Sequence, residues 1–212
     1  IIYIIFYFTE SSAITFIFVK IIKEKISMQS KTSSSPSKRE FAGTFRLLGR
    51  ISFWVHLLLG VVAGITLLLV MFSRNFSDIN NPFIGFGIFL GLSGVVAIGF
   101  RVFWAYRYTR LAKRLQLPDS NLHPKKEEII QVLRVGLIIS LLGIGLGFFA
   151  SEVAAIAALG KTLAQPQGVA VYNPETVVRS IDLFLILADV TIIGAHLLGS
   201  VNSLGLLEWL DQ

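Results

Sequence analysis

Between residues 51 and 207 the chain carries four long stretches nearly empty of charge, and no other feature limits its fold so tightly. A hydrocarbon core about 30 Å thick is crossed by roughly 20 apolar residues in helical form, because only a helix satisfies its own backbone polar groups inside lipid. Residues 51–73 and 79–100 meet that length without one formally charged side chain. Residues 135–151, extended by the Ala-rich run 153–159, form a third stretch, and residues 183–207 a fourth, interrupted only by Asp189. The expected fold is therefore all-α: an integral membrane four-helix bundle in one domain, 46–212, with spans at about 51–73, 82–106, 129–158 and 181–207. A mean hydropathy of +0.72 with 15% charged residues fits that reading.

Basic residues near span ends are retained on the cytoplasmic side. Five lie between Met28 and Arg50 and eight between Arg101 and Arg134, whereas the other two connections share three: Arg74, Lys161 and Arg179. This asymmetry predicts that both termini and the central loop are cytoplasmic. It also accounts for a net charge of +6 without nucleic acid. With no Cys there is no disulfide framework, thiolate metal site or thiol redox pair.

Residues 1–27 are dominated by Ile, Phe, Tyr and Lys and read as translated upstream sequence, with the natural start at Met28. A signal or fifth hydrophobic segment is the rival reading, but Glu10 interrupts it and a basic leading region is missing. Residues 28–45 read as a disordered polar start.

A rise of about 1.5 Å per residue converts position into depth. Trp54, Trp104 and Trp209 all fall at the inner interface, the level that aromatic belts prefer. Arg101 falls there too and is expected to snorkel towards head groups. Glu152 lies about 27 Å above Arg134 and so near the outer boundary. Asp189 lies about 10 Å, and His196 about 21 Å, below the start of the fourth span at Asp182, while His56 lies about 9 Å from the inner boundary, which puts the two imidazoles in one layer.

Asp182, Asp189 and His196 are spaced by seven, nearly two helical turns, so they share one stripe that Ser203 continues. A charged Asp at the centre of a lipid-facing helix costs about 2.5–3.5 kcal/mol, so such a stripe faces protein or water and marks an ion, proton or substrate path. With Glu152 and Glu175 at the outer level, the arrangement reads as an acidic mouth above a histidine layer: a path through Glu152, Asp182, Asp189, His196 and His56, in which Asp189 and His196 transiently hold a divalent metal such as Fe, Mn or Zn. The bland reading makes Asp189 a packing device and Asp182 and Glu152 ordinary interfacial groups.

Small residues four apart let helices approach closely where no hydrophobic effect drives association. Gly60 and Gly64, Gly87 and Gly91, Gly143 and Gly147, and Gly199 between Ala195 and Ser203 have this spacing and predict a compact bundle, with a homo-oligomer or larger membrane complex as its setting. No nucleotide-binding loop is present, and Gly85, Gly87 and Gly91 have the wrong spacing for a dinucleotide site and lie inside a span. No catalytic Ser, His and Asp set or metalloprotease pattern stands out, so the expectation is a protein that is not an enzyme and carries no cofactor.

The stretches FAGTFRLLGRISFWVHLLLGVVAG (41–64) and ADVTIIGAHLLGSVNSLGLL (188–207), with QPQGVAVYNPE between the third and fourth spans, resemble a cyanobacterial and plastid family catalogued as a domain of unknown function. The resemblance covers residues 41–210 and includes no catalytic motif. Its plant members are inner-envelope proteins described both as an iron permease and as the Tic-twenty-one component of the protein-import machinery. The resemblance implies a membrane protein, iron transport or an import-associated role, and for this chain, where no transit peptide precedes Met28, a cyanobacterial plasma or thylakoid membrane. The two functional readings are a metal-ion permease or its accessory, and an assembly adaptor whose basic loop from Arg107 to Lys126 binds lipid or a partner.

Overall fold

The computed structural model describes residues 38–73, 82–117, 123–164, 178 and 180–211. The expectations for residues 1–27, Glu175 and the segment QPQGVAVYNPE lie outside these residues.

Four helices account for nearly all of the described chain: α1 (Lys38–Ser73), α2 (Pro82–Leu115), α3 (Lys126–Leu163) and α4 (Ser180–Asp211). Each is long and apolar enough to cross a membrane. α2 starts on Pro82, whose missing N–H costs nothing in a first turn, and ends with Lys113 and Arg114 against the negative end of its dipole. α3 begins after Pro124, with extended Lys125 as its cap and Glu127 and Glu128 in its first turn, the favourable sign at that end.

Consecutive helices run antiparallel. Gly49 meets Thr109 and Gly60 meets Ile98 across α1 and α2; Gly87 meets Val153 across α2 and α3; Gly147 meets Ile193 across α3 and α4. Phe41 packs edge-on against Trp209 at 5.4 Å and closes α1 onto α4. On the diagonal, α2 and α4 run parallel and touch through glycine, Gly91 at Asp189 and Gly94 at Ile192. The chain thus alternates between a basic end, where α2 leads to α3, and a far end. All three tryptophans lie towards the basic end, Trp54 63% exposed and Trp104 donating its indole N–H to the Val132 carbonyl at 2.8 Å.

Large apolar side chains cover the outside, among them Leu58, Phe89, Leu142, Phe149 and Leu204. In water this surface would be a liability, and in hydrocarbon it needs no cover. Two apolar cores fill the inside. One, towards the far end, contains Leu67, Val70, Ile84, Ile88, Leu185 and Ile192. The other, at the basic end, contains Phe41, Phe45, Tyr108, Leu111, Leu133 and Leu206.

The helices are longer than the apolar stretches. α1 begins at Lys38, inside the stretch read as a disordered start, because Phe41, Ala42 and Phe45 are buried in the basic-end core. Phe45 rests on Tyr108 at 5.7 Å, so the extra turns bury apolar area that an unstructured start would leave outside.

A buried polar column as the candidate functional site

The seven-residue stripe of α4 is internal along its whole length. Asp182 is 4% exposed, and Asp189, His196 and Ser203 are completely buried. Opposite them stand glycines. A Cβ at Gly91 of α2 would sit 2.8 Å from Asp189 Oδ1, and a Cβ at Gly143 of α3 would overlap the His196 ring. The small-residue positions are therefore more than helix contacts: they are the notches into which the polar side chains of α4 fit. A Cβ at Gly147 would lie 3.2 Å from the Asp189 backbone carbonyl, so the bare glycine allows the close α3–α4 approach. Gly60 and Gly87 face Ile98 and Val153 at close approaches that a Cβ would obstruct, and a Cβ at Gly64 would make only an ordinary contact with Val95.

Asp189 lies level with Leu67 and within the far-end core, and neither carboxylate oxygen has a hydrogen-bond partner. Two turns along α4, His196 directs Nε2 at the Gly94 carbonyl, 3.3 Å away. A carbonyl only accepts, so that nitrogen carries the proton and Nδ1, unpartnered, keeps its lone pair. His56 of α1 is buried at the same level, close enough to His196 and Arg101 for electrostatic interaction and lying against the backbone of Ala195. Its Nδ1 donates to the Ser52 carbonyl at 2.6 Å, and its Nε2 has no partner of hydrogen-bonding geometry. The structure thus brings both imidazoles to one layer, each with one nitrogen uncommitted.

Arg101 overturns its expectation. It is completely buried where a snorkelling side chain was predicted. The stripe Gly94, Ile98, Arg101, Ala105 and Tyr108 is buried in the bundle, and Gly136 and Gly199 leave room for the guanidinium. Its Nη2 donates to the Gly199 carbonyl at 2.8 Å, and its Nη1 reaches the Tyr108 hydroxyl at 3.2 Å and Ser203 Oγ at 3.4 Å. Tyr108 and Ser203 are themselves 3.2 Å apart. Ser203 continues the stripe as its spacing predicts, whereas Arg101, Tyr108 and Ser140 were missed, although their spacing along α2 and α3 marks the same inward faces as the glycines.

At the far end Asp182 is ion-paired to Lys161 of α3, Nζ to Oδ2 at 3.0 Å. An acidic mouth is thereby neutralised on one side. A small crevice beside the pair is lined by Ile84, Val153, Ala154, Ala157 and Leu185. Glu152 projects from the exposed face of α3, two residues from both Ala150 and Ala154 and so on the side opposite the stripe Gly143, Gly147, Ala150 and Ala154. Asp189 and His196 stay two turns apart, and among the described residues no three His, Asp or Glu side chains gather where a metal ion could sit.

Four apolar helices around a polar interior define an integral membrane protein. A family model described as "Protein of unknown function (DUF3611)" matches residues 35–211, and the chain belongs to that family. It is 33% identical over 172 residues to Protein TIC 21, chloroplastic, of Arabidopsis thaliana, an alignment covering 77% of this chain and 55% of the relative. The chain therefore spans about half the length of that curated relative. No solved structure matches.

Proposed function

We propose that this is a membrane transport protein, specifically a permease for iron or another divalent metal cation, or an accessory to one, with both termini on the cytoplasmic side of a cyanobacterial or plastid-like membrane. The observation that carries the reading is Asp189: a carboxyl group completely buried between membrane helices, with no bond to either oxygen, in line with a histidine layer. Keeping such a group unpartnered costs about 1–3 kcal/mol, and intramembrane ionisable residues mark ion or proton paths. Movement past Asp189 needs the glycine notches of α2 and α3 to shift against α4. Four helices make a thin wall for a conduit, so several copies or a larger complex would share the task.

The test is iron uptake into vesicles containing the full chain. Asp189→Asn and His196→Ala variants, inserted at wild-type levels, are expected to lose most uptake; unchanged uptake in both rules the path out.

A non-transporting adaptor associated with a protein translocon is the second reading. What favours it is the closed packing of the column, together with the exposed basic groups Arg107, Arg110, Lys113, Arg114, Lys125 and Lys126 at one end. Crosslinking in native membranes separates the two: an adaptor co-purifies with a larger complex, whereas a permease responds to metal supply.

A further inference from the structure

Among the described residues no carboxylate pairs with the buried guanidinium of Arg101. A guanidinium does not shed its proton, and its three bonds go to neutral groups, the Tyr108 and Ser203 hydroxyls and the Gly199 carbonyl. The acidic side chains are elsewhere among the described residues. Asp182 faces Lys161, Glu127, Glu152 and Glu208 project outwards, Glu128 stands in the first turn of α3, eight residues before the Gly136 that meets the guanidinium, and Asp189 is ten residues from Gly199, about 15 Å along α4. A buried charge without a counter-charge is costly, and a protein retains one when something negative comes to meet it.

The unused donors show where. Arg101 Nε has no partner, and neither has Ser140 Oγ of α3, which is completely buried. Both converge on Gly199 of α4, where an added Cβ would lie 2.8 Å from Arg101 Nε and Nη2 and 2.7 Å from Ser140 Oγ, closer than a methyl carbon tolerates, so an oxyanion reaches these donors only as α3 and α4 separate. The Nε and Nη2 edge of a guanidinium matches a pair of oxyanion oxygens, and a neighbouring hydroxyl adds a third donor. We propose that Arg101 and Ser140, meeting at Gly199 between α3 and α4, bind the oxyanion of a phosphate group, from a lipid head group or from free phosphate.

Access has a structural basis. Among the described residues the side-chain bonds tying α3 to α4 lie at the far end, between Lys161 and Asp182. At the level of Ser140 the two helices meet serine against glycine, so a separation there would break no side-chain hydrogen bond between them. Arg101 is also one turn from Trp104 and near the basic end, where exposed Arg107 and Arg110 raise the local concentration of anions. The site holds whether or not a cation moves past Asp189.

Thermal unfolding of the full chain tests the proposal. In detergent, inorganic phosphate is titrated against chloride at matched ionic strength; in nanodiscs, phosphatidylcholine is compared with and without phosphatidylglycerol. A saturable rise in Tm is expected in one arm, phosphate in detergent assigning a free oxyanion and phosphatidylglycerol alone assigning a lipid. Arg101→Gln abolishes the rise, and Arg134→Gln, which removes an exposed cation of α3 outside the site, keeps it. Should Arg101→Gln fail to fold, Ser140→Ala decides, since this hydroxyl makes no bond in the structure: the half-saturating concentration rises about tenfold or more. No rise in the wild type, a rise surviving Arg101→Gln, or unchanged affinity in Ser140→Ala overturns the proposal.

Discussion

The imidazole of His196 occupies the space that Gly143 leaves by having no side chain. A Cβ there would overlap three atoms of the ring, and the ring cannot retreat freely because Nε2 is held at the Gly94 carbonyl of α2. Gly143→Val should therefore lower stability by about 1–3 kcal/mol, the range for overpacking a closed interior. Thermal unfolding in detergent measures it. Most of the loss should disappear in a His196→Ala background, because the two effects share one contact. An equal loss in both backgrounds would mean that Gly143 matters for some reason other than the ring.

Lys161 and Asp182 make the bond that ties α3 to α4 at the far end, with the carboxylate side chain only 5% exposed. Lys161→Ala removes the ammonium that faces a buried acid, a loss of about 3 kcal/mol where both groups are largely desolvated. The swapped variant Lys161→Asp/Asp182→Lys should recover more than half of it. If Lys161→Ala melts with the wild type, the pair is an ordinary surface contact.

Much of the architecture is legible in the sequence because a membrane makes hydropathy nearly decisive. Long charge-free runs must be helices, and the spacing of Asp182, Asp189, His196 and Ser203 predicts the buried stripe that α4 presents. What depth alone does not reveal is direction. Arg101 reads as an interfacial cation from its height, yet its place on the face that carries Gly94 and Tyr108 turns it inwards. Glu152 is the converse case, since its height matches the proposed mouth while its face is exposed. The Lys161–Asp182 bridge depends on the register between α3 and α4, which neither helix encodes by itself.

Orientation follows from labelling. The chain has no cysteine, so single substitutions can be placed without background. Lys113→Cys at the basic end and Ala164→Cys at the far end should react with a membrane-impermeant thiol reagent from opposite sides, Ala164→Cys from outside intact cells. Reaction of both from one side would break the four-span topology, and reversal of sides would place the basic end outside.

Asp189 separates a working group from a packing device more directly than any other position. Leucine has the same branched outline, so Asp189→Leu keeps the fit into the Gly91 notch and beside Leu67 while removing a carboxyl that has no partner. If the group is retained for transport at the expense of stability, the substitution should raise stability by about 1–3 kcal/mol, the desolvation penalty recovered, and at the same time stop iron uptake into vesicles. A packing device behaves otherwise. Its removal would lower the unfolding temperature and leave uptake at the level set by the amount of inserted protein, and that pair of results would transfer the weight of the argument to the adaptor reading.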